Sequence, residues 1–337
     1  PATEEPIISI FADPEMTRSG VMMFARREAL PKEYKNSIVG YSYDLIKTFA
    51  SVMMNARFEE IAQAADATIL GGGMSEGGIG ICPTMESTAF SVTAHDGRND
   101  EAFRTMYTEM ERMRRHGFTE GEWERAKNNI LSGIESQYNS REDRRHSQFA
   151  NRYLDNFRTG TPIYDAETEY QLDKQLVEMI TCDAINATIK QLYDPMKNAV
   201  IVANSPVKEG VVIPTEAELV AALKAAVAAE VEPFQDNVVK EPLISDESVL
   251  KGSKVVKTQK NESLGFTEWT LANGIKVVIK QTPYQADNIG VEAISDGGAA
   301  VFSDAEYYSA QMLGGVMGMS GISKFSASDL RKQLSGK

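Results

Sequence analysis

The chain has 337 residues, 42% apolar and 25% charged, which suits one large or two smaller folded domains and argues against wholesale disorder. Its net charge of -13 at pH 7 argues against a nucleic-acid partner, because phosphate binding needs clustered Lys and Arg to displace counterions. No apolar run approaches the roughly eighteen residues of a membrane span, and Cys82 and Cys182 form no C-x-x-C that would read as a zinc knuckle or a disulfide framework.

The chain opens PATEEPIISIFADPE, with no initiator Met and no charged-then-apolar leader, so the expectation is a piece of a longer protein. Residues 7–11 and 21–28 are apolar-rich runs separated by the turn formers of DPEMTRSG and read as paired strands. From Ser37 the period lengthens. Ile38, Tyr41, Leu45, Phe49, Val52, Ala56 and Ile61 recur every three to four residues, the stripe of a long amphipathic helix. The glycine-rich GGGMSEGGIG reads as a mobile connection, and residues 88–95 as a strand with Phe90, Val92 and Ala94 on one face.

Helical periodicity then takes over. Phe103, Met106, Tyr107, Met110 and Met113 share one face, and Trp123, Ile130, Ile134 and Tyr138 share a face of the next helix. Further helices are expected over residues 142–157 and 182–193, and AVIVA at 199–203 reads as a short buried strand. Strands, then helices, then a closing strand point to the α+β class.

Composition shifts after Ser205. Thr215 and Glu218 form a capping box that opens an Ala-rich helix over 215–231, and a Pro-, Ser-, Lys- and Val-rich extended stretch follows as a linker. TEWTLANGIKVVIK is a hairpin turning at Asn273-Gly274, residues 289–294 read as its next strand, and Ser303 with Glu306 caps a helix. What remains is too short to complete a core like that of the first domain.

Three groupings could carry chemistry. GMSEG, residues 73–77, matches the G-x-S-x-G nucleophile elbow, but more glycine and then a Pro-containing stretch follow, so no helix starts behind the serine. The three histidines, His95, His116 and His146, lie too far apart to share a helix face, and none has a Cys at ligand spacing. RRHGFTEGEWERAK sets His116 four residues before Glu120, yet Gly117 breaks the helix that would make them converge. The same stretch is explained in full as two helix ends. Arg114, Arg115 and His116 face the negative end of one helix dipole, and Gly117 stops that helix. Thr119 and Glu122 form a capping box for the next, with Phe118 and Trp123 as its hydrophobic staple. The charges of SREDRRHSQFANRY read as a solvated helix face.

GFTEGEWERAK resembles the GFT-E-E-x-x-R-A-K helix start in the non-catalytic domains of the insulinase-like (pitrilysin) zinc metallopeptidases, the group that includes mitochondrial processing peptidase. MMNARFEEIAQ looks like the end of that domain's first long helix, AVIVANSP like its last strand, and EWTLANGIKVVIKQT like the hairpin that opens each half of the duplicated members. The resemblance implies an α+β fold, a mostly antiparallel sheet with helices packed on one face, followed by a linker and a truncated second copy. Residues 1–206 would be the non-catalytic domain of the amino-terminal half, 207–264 a linker with one helix, and 265–337 the start of the carboxy-terminal half.

That family places H-x-x-E-H on a helix, two histidines holding zinc and the glutamate polarising water. No H-x-x-E-H occurs here, and SDAEYYSAQML supplies Tyr307, Tyr308 and Gln311 where an active second half would carry it. The resemblance therefore implies a fragment of a zinc metalloendopeptidase with no catalytic or metal-ligating residue of its own. Zinc is expected in an upstream domain of the parent, with peptide or unfolded protein as substrate and the rest of the parent chain as partner. The family's substrate-holding Arg and Tyr pair is not found in EEIAQAADATIL and would lie beyond Lys337. ATILGGGMSEGG resembles a sheet edge that accepts substrate as an added strand in some members, which would make Ile69, Leu70, Gly71 and Gly72 the substrate-binding residues. The alternative is a non-catalytic structural or peptide-binding protein of the same fold. Relatives suggest a bacterial periplasm.

Overall fold

Ser37 accepts a hydrogen bond from the Gly40 amide and starts the longest helix of the chain, whose apolar stripe then sets the plane of a sheet. The computed structural model describes residues 2–79, 82–192, 197–284 and 288–337. They form two compact units, the first made of Pro1–Ile134, His146–Asn237 and Ser335–Lys337, the second of Glu135–Arg145 and Val238–Leu334.

The first unit runs β1 (Ile7–Asp13), β2 (Ser19–Glu28), α1 (Lys32–Lys35), α2 (Ile38–Gln63), β3 (Ile69–Ile79), β4 (Cys82–Ala94), α3 (Asn99–His116), α4 (Glu120–Asn139) as far as Ile134, α5 (His146–Thr159), α6 (Ala166–Met179), α7 (Cys182–Leu192), β5 (Ala199–Pro206) and α8 (Glu216–Ala228). Its five strands lie in the order β1-β5-β2-β4-β3, with β1 parallel to β5 and every other pair antiparallel. The first two strands are therefore not paired with each other, as their turn-like spacing suggests; β5 lies between them. Ala199, Ile201 and Ala203 are fully buried, so β5 needs a neighbour on each side, whereas β1 leaves Ile7 and Phe11 exposed and suits an edge.

One row of side chains, Ile8, Ile201, Met23, Phe90 and Met74, crosses all five strands in register. Against this face pack Phe49, Met53, Met54 and Phe58 of α2 and Phe103, Met106, Tyr107, Met110 and Met113 of α3. Each such side chain withdrawn from water contributes about 2 kcal/mol. The other face carries exposed Ile7, Phe11 and Met22, so the layer of helices covers one side only.

Composition assigns the Ala-rich helix to a linker, but α8 buries Leu219, Ala222, Leu223 and Ala226 and belongs to the first unit. Its Thr215 and Glu218 cap each other's backbone amides as expected. The helix expected from 142 starts at His146, after a short 3-10 turn over Arg141–Asp143. A further helix that periodicity does not single out, α6, is capped by Asp165, and the expected end of α7 at Tyr193 lies outside the described residues.

The α3–α4 junction has the anatomy its sequence spells out. Gly117 sits at φ 76° and donates to Met113, and Thr119 and Glu122 exchange hydrogen bonds across α4's first turn. Arg57 of α2, 1% exposed, donates to both Glu122 oxygens at 2.6 and 2.9 Å and to the Gly117 carbonyl at 3.0 Å. Its guanidinium lies 4.7 Å from the Phe118 ring centre and 4.3 Å from that of Phe234. Phe234 belongs to an extended strap after α8. Arg112 donates to Glu232, Arg115 to Ala229, His116 to Val231, and Arg125 grips Asp236 with two bonds.

The second unit holds an antiparallel sheet of β6 (Val255–Asn261), β7 (Phe266–Leu271) and β8 (Lys276–Ile279), then α9 (Tyr307–Met319) and α10 (Ala327–Gln333). The hairpin turns at Gly274 with φ 87°, as Asn273-Gly274 predicts, and β6 adds a strand that composition hides in the linker. Ser303 and Glu306 bond to each other in the turn before α9. The strand expected over 289–294 is absent among the described residues. Ile289, Val291 and Ile294 are 91%, 88% and 87% exposed, with neither a strand to pair with nor an apolar layer to cover them.

Candidate peptide-binding edge

Glycine-rich sequence argues for a connection, yet residues 69–79 form β3, the outer strand of the first unit's sheet. Tertiary packing overrides the local preference. A Cβ on Gly72 would meet Phe58 and Val92 at 3.0–3.1 Å, so only glycine lets β3 lie this close under α2. Gly71 has open space around it. Ser75 stands in mid-strand paired with Ala89, not on a strand-to-helix turn, so GMSEG is no nucleophile elbow.

β3 pairs with β4 along one side and with no strand along the other among the described residues. The Met74 amide turns away from β4 and donates to Asn55 of α2 at 2.6 Å. Backbone groups alternate sides along a strand, so those of Gly72, two residues earlier, point out of the same open side. Asn55 thus closes one slot of the edge and leaves the slot at Gly72 free. Ahead of it the register shifts between Ile69 and Gly71, which makes Leu70 a bulged residue, 52% exposed, while Ile69 is buried in the core. The four candidate residues therefore divide: Ile69 anchors, Leu70 projects, and Gly71 and Gly72 offer backbone with no side-chain bulk.

Charge fixes the far end of the hairpin. Glu76 of β3 receives a 2.6 Å hydrogen bond from Arg27 of β2, and Arg27 also reaches Thr88 at 2.7 Å. Burial pushes the Glu76 carboxyl above its usual range, against the pull of Arg27. Glu86 on β4 is also raised by burial, but its hydrogen bond from Lys35 and the charges of Lys47, Lys35 and Arg27 outweigh that and hold it low. These contacts pin the hairpin to β2 and α2, so the edge is presented on a fixed frame. Asn55 and the Arg57–Glu122 pair do not stand out as a set in the sequence. The available signal is polar Asn55 and Arg57 set among the apolar Val52, Met53, Met54, Ala56 and Phe58 of α2.

The three histidines are dispersed. His116 bonds the Val231 carbonyl at 2.6 Å, His95 bonds that of Ala67 at 3.2 Å, and His146 opens α5. Among the described residues no group of three or more His, Cys, Asp or Glu could hold a metal ion, and no helix is long and apolar enough to cross a membrane.

A one-sided, mostly antiparallel sheet under helices, followed by a linker and a hairpin-led second unit, is the insulinase-like metallopeptidase fold. The chain is a relative of the insulinase-like (pitrilysin) zinc metallopeptidases. It is 20% identical over 331 residues to the probable zinc protease PqqL of Escherichia coli, covering 96% of this chain and 34% of that protein. The structure of the periplasmic protease PqqL from Escherichia coli superposes on 98% of this chain and 36% of its own, with TM-score 0.63 and 21% identity. The ferredoxin protease FusC, solved as a mutant in complex with Arabidopsis ferredoxin, gives TM-score 0.56 at 16% identity over 97% of this chain and 36% of its own. A predicted insulinase family protease from Yersinia pestis gives 0.54 at 10% identity over 67% and 47%. No family model matches the chain. The chain spans about a third of the length of the E. coli protein it matches.

Proposed function

We propose that this chain is the non-catalytic part of a longer zinc endopeptidase and binds its peptide or unfolded protein substrate by strand addition at β3. The observation that carries this reading is the open side of β3, where Gly72 offers unpaired backbone groups and Gly71 no obstruction. Residues 1–206 are the non-catalytic domain, with α8 and its strap packed on them, and residues 265–337 begin the second half. Zinc and the water-polarising glutamate are assigned to another part of the parent, as the resemblance to the insulinase-like metallopeptidases implies; the sequence here contains no H-x-x-E-H. The periplasmic PqqL supports a periplasmic setting, and the FusC–ferredoxin complex supports a protein substrate.

Methylated peptides test the edge without disturbing the fold. A peptide of about nine residues is N-methylated on alternate amides, in two opposite phases, and its affinity for the chain is measured by fluorescence anisotropy. Strand addition predicts that one phase loses binding and the other keeps it, because only every second amide faces β3. Equal affinity of both phases and the unmethylated peptide would overturn the proposal. The parent's activity is tested separately: zinc analysis of this chain gives no stoichiometric metal, and the coding sequence upstream contains H-x-x-E-H. Absence of that motif upstream would leave a peptide-binding protein without peptidase activity.

A further inference from the structure

We infer that Asn55 is a stop for the bound peptide and confines strand addition to residues 69–73 of β3, an inference that rests on the strand-addition reading. Gly72, Met74, Glu76 and Gly78 pair with Val92, Phe90, Thr88 and Glu86 of β4. They stand two residues apart, so all four turn their backbone groups to the open side, and by strand order alone the edge would take a peptide along its whole length. Asn55 interrupts it. Its side-chain oxygen lies 2.6 Å from the Met74 nitrogen, where the carbonyl oxygen of an added strand would have to sit. The same oxygen would stand 3.3 Å from a Cβ on Gly73, so the carboxamide lies against β3 itself, in the track of the next strand.

The helix holds this stop in place. Met54, Arg57 and Phe58, on either side of Asn55 in α2, are 0%, 1% and 0% exposed, so α2 cannot lift off β3 without opening the core. Asn55 itself is exposed, but a peptide carbonyl that displaced it would only exchange one N–H···O bond for another. Past residue 73 a bound chain must therefore end or turn out of the sheet. Because β3 begins at Ile69, the free run is residues 69–73, with the outward backbone of Gly72 near its centre. The substrate class is then a peptide with a short extended stretch of about five residues, bounded by a chain end or a bend. A long uninterrupted strand gains nothing from its further residues.

The test uses the full 337-residue chain, alternating Thr-Val peptides of about five and about nine residues, and amide exchange resolved by residue. In wild type the longer peptide slows exchange at Gly72 and leaves Glu76 and Gly78 unchanged. Asn55→Ala frees the Met74 amide at a helix position where Ala favours folding. In that variant the longer peptide also slows Met74 and Glu76. The ratio of the two peptides' affinities, in which the gain from extra registers cancels between proteins, rises about fivefold over wild type, the scale of one further hydrogen bond. Asn55→Asp keeps an acceptor for the Met74 amide and keeps the wild-type pattern. Slowed exchange at Glu76 or Gly78 in wild type, faster exchange at Met74 when the peptide binds wild type, or an unchanged ratio in Asn55→Ala overturns the inference and leaves strand addition standing. No protection of Gly72 by either peptide overturns strand addition and this inference with it.

Discussion

The two units bury apolar surface very differently. The first packs Phe49, Phe58, Phe90, Phe103 and their neighbours to zero exposure between one sheet face and the helices, whereas the second leaves Ile289, Val291, Ile294, Met312 and Met317 largely in water. Both have good helix starts and turn chemistry, with full capping boxes at Thr215 in one and Ser326 in the other. Local signals therefore do not make a core; a layer able to cover an apolar face does. The difference predicts that stability responds sharply to change in the first unit and hardly at all in the second. Trp123 and Trp269 lie one in each unit, so a Trp269→Phe background lets fluorescence follow the first alone.

The largest effect is expected at Arg57. Arg57→Ala leaves Glu122 buried without its partner and removes the plate between Phe118 and Phe234, costing about 3–5 kcal/mol in urea unfolding of the first unit. A loss under about 1 kcal/mol would mean that the buried pair is not what joins α2 to the α3–α4 junction. Next comes Gly72→Val, which drives a side chain into Phe58 and Val92 and should cost about 1–3 kcal/mol, while Gly71→Ala, with open space around it, stays within about 0.5 kcal/mol.

Glu111 gives a smaller, pH-dependent effect. Burial alone would raise its carboxyl, but the hydrogen bonds and charges of Arg114 and Arg115 outweigh burial and hold it below its usual range. A lowered folded pKa contributes stability that is present above the unfolded value and is lost as pH falls through the folded one. Glu111→Gln should therefore cost about 1–2 kcal/mol at pH 7, with the gap to wild type closing as pH drops below about 4, and a gap independent of pH would contradict the assignment. Smallest is Ile289→Ser in the second unit, expected to shift unfolding by less than about 0.5 kcal/mol.

Cys182 offers a check with no mutation. Burial first, then Glu120 and Asp183, push its thiol up to about 11, while Cys82 is lowered by its bonds to Thr84. Iodoacetamide at pH 8 should modify Cys82 first and reach Cys182 only as the first unit unfolds.

How much of this is legible in the sequence depends on the range of the interaction. Ser37, Gly117, Thr119 with Glu122, Thr215 with Glu218, and Asn273-Gly274 act on backbone within a few residues, and each element end stands where those residues place it. The insertion of β5 between β1 and β2 depends on which strand finds cover on both sides, a property of the assembled layer. β3 is obscured because glycine weakens a strand locally, and the close approach of Phe58 that requires Gly72 joins residues fourteen apart in sequence. Ile289 to Ile294 shows the converse: an apolar run without a neighbour forms no strand. The edge residues are legible only through family resemblance, and Asn55, which closes one slot and leaves the next open, requires the fold.

Amide hydrogen exchange on the full chain, with and without a saturating unmethylated peptide, tests strand addition most directly. The account predicts slowed exchange at Gly72 on β3, with β1, the sheet's other edge, unchanged. Protection on β1, or none on β3 when the peptide is demonstrably bound, would contradict it.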